Sequence, residues 1–396
     1  MIYRENPKNG EKLSQLGLGC MRFPRRGIQI RQAKADEIVA NAIDLGVNYY
    51  DTAYVYSGSE EALGSALKTL GRRRDVNIAT KLPPFMCKSR EDFNRIWSQQ
   101  LERLKTDYVD YYLLHMLGNL ADWERLRGFG AEEWIAEKMR SGQIRNIGFS
   151  FHGKHTEFTR LIDAFDWGFC MLQYNYYDEK NQAGKEGVQY ASRKGLPVFI
   201  MEPLRGGMLA NELPKASVRA FMNADKERTP AEWGFAWLLD QPEPTMILSG
   251  MSNLRMLKEN AAVSSLLGPG CLSETDRDVY TEVIAAINTS MRVPCTGCNY
   301  CMPCSYGVDI PACFKAYNAS YIQGFFTGIY TYSLNVGAIQ RKQSYASQCR
   351  RCMKCEIKCP QEIKIADRLN DVSRRLESFW FRPTSALARR IMLGKK

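Results

Sequence analysis

The chain has 396 residues, of which 45% are hydrophobic and 24% charged, with a net charge of +11 and thirteen cysteines. Such a composition builds packed globular domains and excludes wholesale disorder, and the length allows one large domain with a small one or two to three ordinary domains. No run of eighteen apolar residues offers a simple membrane-spanning helix, because the nearest stretch, Tyr321 to Ile339, is broken by Gln323, Gly324, Gly328 and Asn335.

The N-terminus carries charge where a signal peptide needs an apolar stretch, so a cytoplasmic protein is expected. Ile2–Arg4, a turn at Pro7–Gly10 and Glu11–Leu13 read as a hairpin. Short apolar runs then alternate with helical patterns. The strand candidates are QLGLGCM, VNYYDTA, VNIATKL, YVDYYLLH, IRNIGFSF, FCMLQYNYY, LPVFIMEPL and TMILSG. Helix candidates between them include Ala33–Leu45, Glu60–Leu70, Arg90–Leu104, Glu132–Arg140, Thr156–Phe165, Lys185–Lys194 and Pro230–Leu239, and Leu254–Leu266 follows the last strand. Ile38, Ala42, Ile43 and Leu45 are spaced as on a helix laid against a sheet. Gly46, Gly142 and Gly195 each precede a strand, as a helix C-cap turning into the next unit would. Eight β/α units in this length predict a (β/α)8 TIM barrel over residues 1–280. A doubly wound open sheet is the rival on pattern alone, but no G-x-G-x-x-G follows the first strand.

In such a barrel, chemistry sits at the C-terminal ends of the strands. Those ends offer Asp51, Lys81 and His115, with Tyr56 in the loop leaving the second strand. A carbonyl being reduced develops negative charge on oxygen, which must be stabilised and protonated. A phenol is a weak acid on its own, and a nearby ammonium favours its phenolate. Lys81 can therefore tune Tyr56, Asp51 can hold Lys81, and His115 can donate a hydrogen bond to the substrate or relay the proton.

The ordered set Asp51-Thr52-Ala53-x-x-Tyr56, Thr80-Lys81 and Leu113-Leu114-His115 resembles the Asp/Tyr/Lys/His tetrad of the aldo/keto reductases, over roughly residues 1 to 268. The resemblance implies NADP, or NAD, bound across the barrel mouth. It assigns Ser150 and Gln173 to the nicotinamide carboxamide, Pro203, Leu204, Arg205 and Gly206 to the diphosphate, Gly250 and Ser252 to the adenosine-phosphate loop, and Glu259 and Asn260 to the adenine. Cys20 and Met21, after the first strand, join the cofactor-binding set. Phe151 stands where the family has Asn or Arg, Met201 where an aromatic ring stacks on the nicotinamide, and Met256 where Arg or Gln meets a 2′-phosphate. Arg255, one residue away, would point elsewhere on a helix.

Nine of the thirteen cysteines lie between residues 295 and 359, and residues from 281 onward hold 17 Lys and Arg against 7 Asp and Glu, a net +10. In a reducing compartment this cluster reads as metal ligation rather than disulfides. A basic region of this kind can meet nucleic acid, a membrane surface or an acidic protein, or offset an anionic inorganic cofactor, and the cysteines favour the last. Cys349-x-x-Cys352-x-x-Cys355-x-x-x-Cys359-Pro360 is the bacterial ferredoxin run for a 4Fe-4S cluster; zinc is the rival. Cys295-x-x-Cys298-x-x-Cys301-x-x-Cys304 is close to it, with a fourth spacing shorter by one. Two 4Fe-4S clusters are expected. Because the fourth cysteine of each run ligates the other cluster in two-cluster ferredoxins, one is assigned Cys295, Cys298, Cys301 and Cys359, and the other Cys349, Cys352, Cys355 and Cys304. Cys313 is an alternative to Cys304, or a buried helix cysteine. Arg350, Arg351, Lys354 and Lys358 would offset cluster charge.

The resulting expectation is an aldo/keto reductase barrel, an iron-sulfur domain of α-helical ferredoxin type at 281–375, and a basic amphipathic tail at 376–396. The substrate would be a small carbonyl or alcohol. The clusters would relay electrons to or from an acidic electron-transfer protein; the tail could pack on its own domain or meet that partner or anionic lipid. A rival reading is a nicotinamide-binding redox sensor with marginal turnover, similar to the potassium-channel β subunits.

Overall fold

The computed structural model describes residues 1–337, 343–379, 381 and 383. Its contacts divide the chain into two compact units: Met1–Pro203 with Ala231–Ser273, and Leu204–Pro230 with the described residues from Glu274 onward.

Each of the eight predicted apolar runs holds one strand of the first unit: β1 (Leu16–Gly19), β2 (Tyr49–Asp51), β3 (Asn77–Leu82), β4 (Val109–Leu117), β5 (Ile144–Phe151), β6 (Phe169–Gln173), β7 (Val198–Met201) and β8 (Pro244–Ser249). They pair in parallel and close into a barrel in the order β6-β7-β8-β1-β2-β3-β4-β5. The strands read as near-continuous apolar runs because both faces are covered, the inner by barrel side chains and the outer by helices. The helix Gln32–Asp44 shows the outer half of this: Ala35, Ile38, Val39, Ala42 and Ile43, at three- and four-residue spacing, are its buried set.

Aromatic side chains fill the barrel. Tyr49, Tyr111, Phe169 and Phe199 are fully buried there with Met171, Met246 and Leu248. Tyr49 meets Tyr111 edge-on at 5.1 Å between centroids, and Tyr111 meets Phe169 at 5.0 Å. Contacts of this kind contribute about 0.5–1.5 kcal/mol each beyond area burial. A hairpin of Tyr3–Glu5 and Lys12–Ser14 brings Leu13 into the same cluster. Its turn binds Tyr111, whose hydroxyl donates to Glu11 Oε2 at 2.6 Å and accepts from Asn6 Nδ2 at 3.2 Å. One end of the barrel is thus filled, which leaves the C-terminal strand ends for chemistry.

In the second unit, helices Ile310–Ile322, Phe325–Val336 and Ile365–Leu376 surround a core of Ile310, Phe314, Tyr332, Val336, Ile365 and Leu369. Six of the cysteines, Cys295, Cys301, Cys304, Cys349, Cys355 and Cys359, pack on its edge. The first two helices cross tightly at Gly328, where a Cβ would lie 2.3 Å from Ser320 Cβ. The predicted boundary at 280 falls inside the helix Glu274–Ser290. The predicted tail lies largely outside the described residues.

Candidate functional site

Asp51 ends β2, and Lys81 and His115 lie near the ends of β3 and β4, so neighbouring strands deliver all three to the barrel mouth. Lys81 Nζ donates to Asp51 Oδ1 at 2.5 Å and to the Thr52 carbonyl at 2.6 Å. The same nitrogen lies 5.0 Å from the centroid of the Tyr56 ring, and Tyr56 meets the His115 ring edge-on at 5.7 Å. Asp51, Lys81 and His115 are buried, whereas Tyr56 is half-buried.

Electrostatics follow from that burial. Desolvation lowers the Lys81 ammonium from its ordinary value and raises the Asp51 carboxyl, and their ion pair opposes both shifts. Burial, with Lys81 and His152 nearby, holds His115 well below an ordinary histidine, so its imidazole is neutral at neutral pH. Asp51 Oδ2 is buried with no hydrogen-bond partner among the described residues.

Two devices that hold these groups were not legible as motifs. Glu60 looks like a solvated first-turn acid, yet it is buried and accepts from Thr80 Oγ1 at 2.5 Å, Gln100 Nε2 at 3.0 Å and Arg103 Nη1 at 3.1 Å. Gln100 Nε2 also lies 3.0 Å from the Lys81 carbonyl, so this network fixes the strand carrying the lysine. The second device is a register shift in β4 between Leu114 and Leu117, with Met116 at φ +58°. Such a bulge re-aims the side chains beside it, here His115. The Met116 N–H donates to Ser150 Oγ at 2.8 Å.

Of the residues assigned to the nicotinamide, Ser150 keeps a donor for one. Ser150 accepts from Met116 and retains its own hydroxyl proton. Gln173 donates from Nε2 to Asp178 at 2.8 Å and accepts at Oε1 from Gln182 at 3.2 Å. Asn260 donates to Ser249 Oγ at 3.1 Å, Glu259 holds the exposed Arg255 at 2.7 Å, and Ser252 Oγ lies 3.5 Å from Met256 Sδ. Met201 ends β7 half-buried, and Met21 is half-buried after β1. Cys20 is fully buried; its thiol donates to the Leu18 carbonyl, and burial and Asp51 push its pKa up. Arg22, not singled out in the sequence, covers Gly250 so closely that a Cβ there would lie 2.9 Å from Arg22 Cδ. Arg205 is turned elsewhere: it is 2% exposed, and its guanidinium donates to the Pro294 carbonyl at 3.2 Å and reaches Met291 Sδ at 3.5 Å.

The two cysteine runs follow one backbone path. Residues just before and just after the second cysteine are left-handed in both, Gly297 and Asn299 at φ +69° and +65°, Arg351 and Met353 at +52° and +59°. The N–H of Gly297 donates to Cys295 Sγ at 3.4 Å, and that of Arg351 to Cys349 Sγ at 3.4 Å. After the fourth cysteine the match continues. The N–H of Gly307 bonds the Cys304 carbonyl at 3.0 Å and that of Glu362 the Cys359 carbonyl at 3.1 Å, and both residues are left-handed. A helix then begins three residues on, at Ile310 and at Ile365. Cys304 therefore occupies the place of Cys359 despite its shorter spacing. Cys313 lies instead inside the helix Ile310–Ile322, fully buried, with its thiol 3.7 Å from the Ser344 carbonyl.

Non-glycine residues in left-handed conformation cost about 1 kcal/mol or more each and mark a loop shaped for something else. Here they turn backbone N–H groups toward sulfur, as an anionic sulfur cluster requires. Cys295, Cys298, Cys301 and Cys359 line one cleft with Phe314 and Ile365. Cys349 and Cys304 both lie close enough to Cys355 to help raise its pKa, after burial, to about 11. Zinc, at bonds of roughly 2.3 Å, would draw four thiolates to within about 3.8 Å of one another. Among the described residues, no three His, Cys, Asp or Glu side chains are grouped to hold a single metal ion. A thiolate-only donor set with backbone N–H groups aimed at sulfur fits an iron-sulfur cluster.

Comparison with known proteins agrees with both halves. A model of the aldo/keto reductase family matches residues 15–268, and a 4Fe-4S dicluster domain model matches residues 294–363. The chain is 28% identical over 300 residues to L-galactose dehydrogenase of Arabidopsis thaliana, covering 68% of this chain and 90% of that one. It is 27% identical over 283 residues to the uncharacterized oxidoreductase YqkF of Bacillus subtilis, covering 63% and 86%. An aldo-keto reductase from Klebsiella pneumoniae, solved in complex with NADPH, aligns with a TM-score of 0.59 at 23% identity, over 72% of this chain and 96% of that one. At that identity the likeness is one of fold.

Proposed function

The chain belongs to the aldo/keto reductase family and carries a C-terminal 4Fe-4S dicluster domain, and from that premise we propose that it interconverts a small carbonyl and an alcohol with NADP(H) or NAD(H) while its clusters exchange electrons with a partner. The observation that carries the catalytic reading is the buried Lys81–Asp51 pair set against the rings of Tyr56 and His115 at the barrel mouth.

A bound nicotinamide supplies or accepts the hydride. The chain's own residues handle the oxygen and its proton. Tyr56, half-buried, gives its hydroxyl proton to the substrate oxygen as charge develops there. The Lys81 ammonium beside the ring favours the phenolate left behind, and Asp51 with the Thr52 carbonyl fixes that ammonium in place. His115, neutral, orients the substrate oxygen by a hydrogen bond. Ser150, through the hydroxyl proton it retains, and Gln173 hold the nicotinamide carboxamide.

In the cluster domain, Cys295, Cys298, Cys301 and Cys359 hold one cluster, and Cys349, Cys352, Cys355 and Cys304 the other. Bound clusters pass single electrons. The second run suits an acidic electron-transfer partner: Arg350, Arg351, Cys352, Met353, Lys354, Ile357 and Lys358 are all exposed, an apolar centre with a basic rim. The first run, by contrast, carries no charged residue between Cys295 and Cys304.

Anaerobic purification with iron and sulfide analysis, followed by NADH and NADPH titration and a carbonyl panel, tests both halves. About eight iron atoms and eight sulfides per chain, as two four-iron clusters require, and turnover at ordinary enzymatic rates are expected. Marginal turnover with tight nicotinamide binding would favour the regulatory reading instead.

A further inference from the structure

The loop after β7 reads Leu204-Arg205-Gly206-Gly207, and its arginine does not behave as a cofactor clamp. Arg205 and the two glycines after it all have positive φ, +51°, +69° and +96°. Glycine adopts this conformation freely, but an arginine there carries backbone strain. Its side chain is also buried, which is unusual for a guanidinium outside a specific contact. The charged end bonds the carbonyl of Pro294, the residue directly before Cys295, at 3.2 Å. The receiving segment is itself pinned. Asn318 Oδ1 accepts from the N–H of Arg292 at 3.2 Å and of Val293 at 3.0 Å, and Asn318 Nδ2 returns to the Val293 carbonyl at 2.7 Å. A permanent cation is thereby held at a fixed place beside the first thiolate of the run.

We infer that Arg205 is a positioning residue that raises the reduction potential of the cluster held by Cys295, Cys298, Cys301 and Cys359. Reducing a cluster by one electron adds a negative charge, and a buried cation stabilises that state with little screening by water. The second run has only exposed cations, and water and salt screen these. The cluster beside Arg205 is thus the easier of the two to reduce.

This inference rests on the proposed cluster ligands, and its test separates the two. Full-length Arg205→Gln and Arg205→Lys proteins are purified anaerobically. Iron and sulfide are counted, cluster potentials are read by EPR-monitored redox titration, and NADPH dissociation constants are measured. The glutamine variant should keep its iron and shift one cluster about tenfold toward the oxidised form at a fixed potential, 59 mV for a one-electron couple, with the other cluster unmoved. The lysine variant should shift less, and NADPH affinity should hold in both. Unchanged potentials with NADPH binding weakened tenfold would return Arg205 to the diphosphate and overturn the inference. Equal shifts in both clusters, or loss of iron from the glutamine variant, would overturn it too. Wild-type protein without iron would defeat the cluster reading itself.

Discussion

The barrel mouth and the cysteine runs reach a functional geometry by opposite routes. At the mouth, Asp51, Lys81 and His115 come from three different strands and meet because the barrel closes. Their positions depend on groups far along the chain, such as Glu60 and Gln100 behind Lys81. In each cysteine run, nearly everything needed is local: a left-handed residue on either side of the second cysteine, an N–H aimed at the first thiol, and a helix a few residues on. A convergent site is set by long-range packing, whereas a sulfur-binding loop is set by its own backbone. Damage to the two should therefore look different.

The largest effect is expected from Lys81→Met. It leaves Asp51 buried without its partner, which costs about 3–5 kcal/mol of stability, and it removes the cation beside Tyr56, lowering kcat by at least roughly 100-fold. Thermal melts and steady-state carbonyl reduction measure both; an unchanged Tm and kcat would mean that the mouth is not built as a unit. Damage in the runs should instead be local and countable. Cys298→Ser and Cys352→Ser should each lower iron to about half, while Cys313→Ser leaves it unchanged, since that thiol sits in the helix core. Iron loss in the Cys313 variant would remove the equivalence of Cys304 and Cys359.

A finer contrast lies between the runs themselves. Reversing Arg350, Lys354 and Lys358 to Glu should slow electron exchange with a small acidic carrier about tenfold at low salt and abolish its salt dependence. An unaltered rate would move the docking site elsewhere. The smallest expected effect is in the pH profile. Burial keeps His115 neutral well below its ordinary value of 6.5, so kcat should show no limb centred there. The folded state also binds fewer protons at this position than the unfolded chain, so its contribution to stability falls as pH drops below about 6.5. A kcat limb near 6.5 would assign the proton relay to His115.

The same contrast explains what the sequence disclosed. The eight strands were legible because parallel strands covered on both faces read as apolar runs, and the tetrad because its residues keep order and spacing. Glu60 was not, since a helix first-turn acid carries the same letters whether solvated or buried against Thr80. The helix Phe325–Val336 was seen only as a broken apolar stretch; aromatic and β-branched residues weaken its propensity, and the packing of Gly328, Tyr332 and Val336 overrides it. Arg205 was assigned with the diphosphate by its neighbours in sequence, while its burial against Pro294 is a tertiary fact. The short fourth spacing left Cys304 open against Cys313. The repeated left-handed turn and following helix favour Cys304, and φ angles cannot be read from the letters.

Replacement of one oxygen atom reaches the catalytic proposal most directly. Iron-replete Tyr56→Phe protein keeps the ring beside Lys81 and His115 and loses only the hydroxyl. Its kcat/KM for carbonyl reduction should fall about 10²- to 10⁴-fold with the nicotinamide dissociation constant unchanged. Activity within twofold of the unmodified protein would contradict the assignment of the proton to this residue.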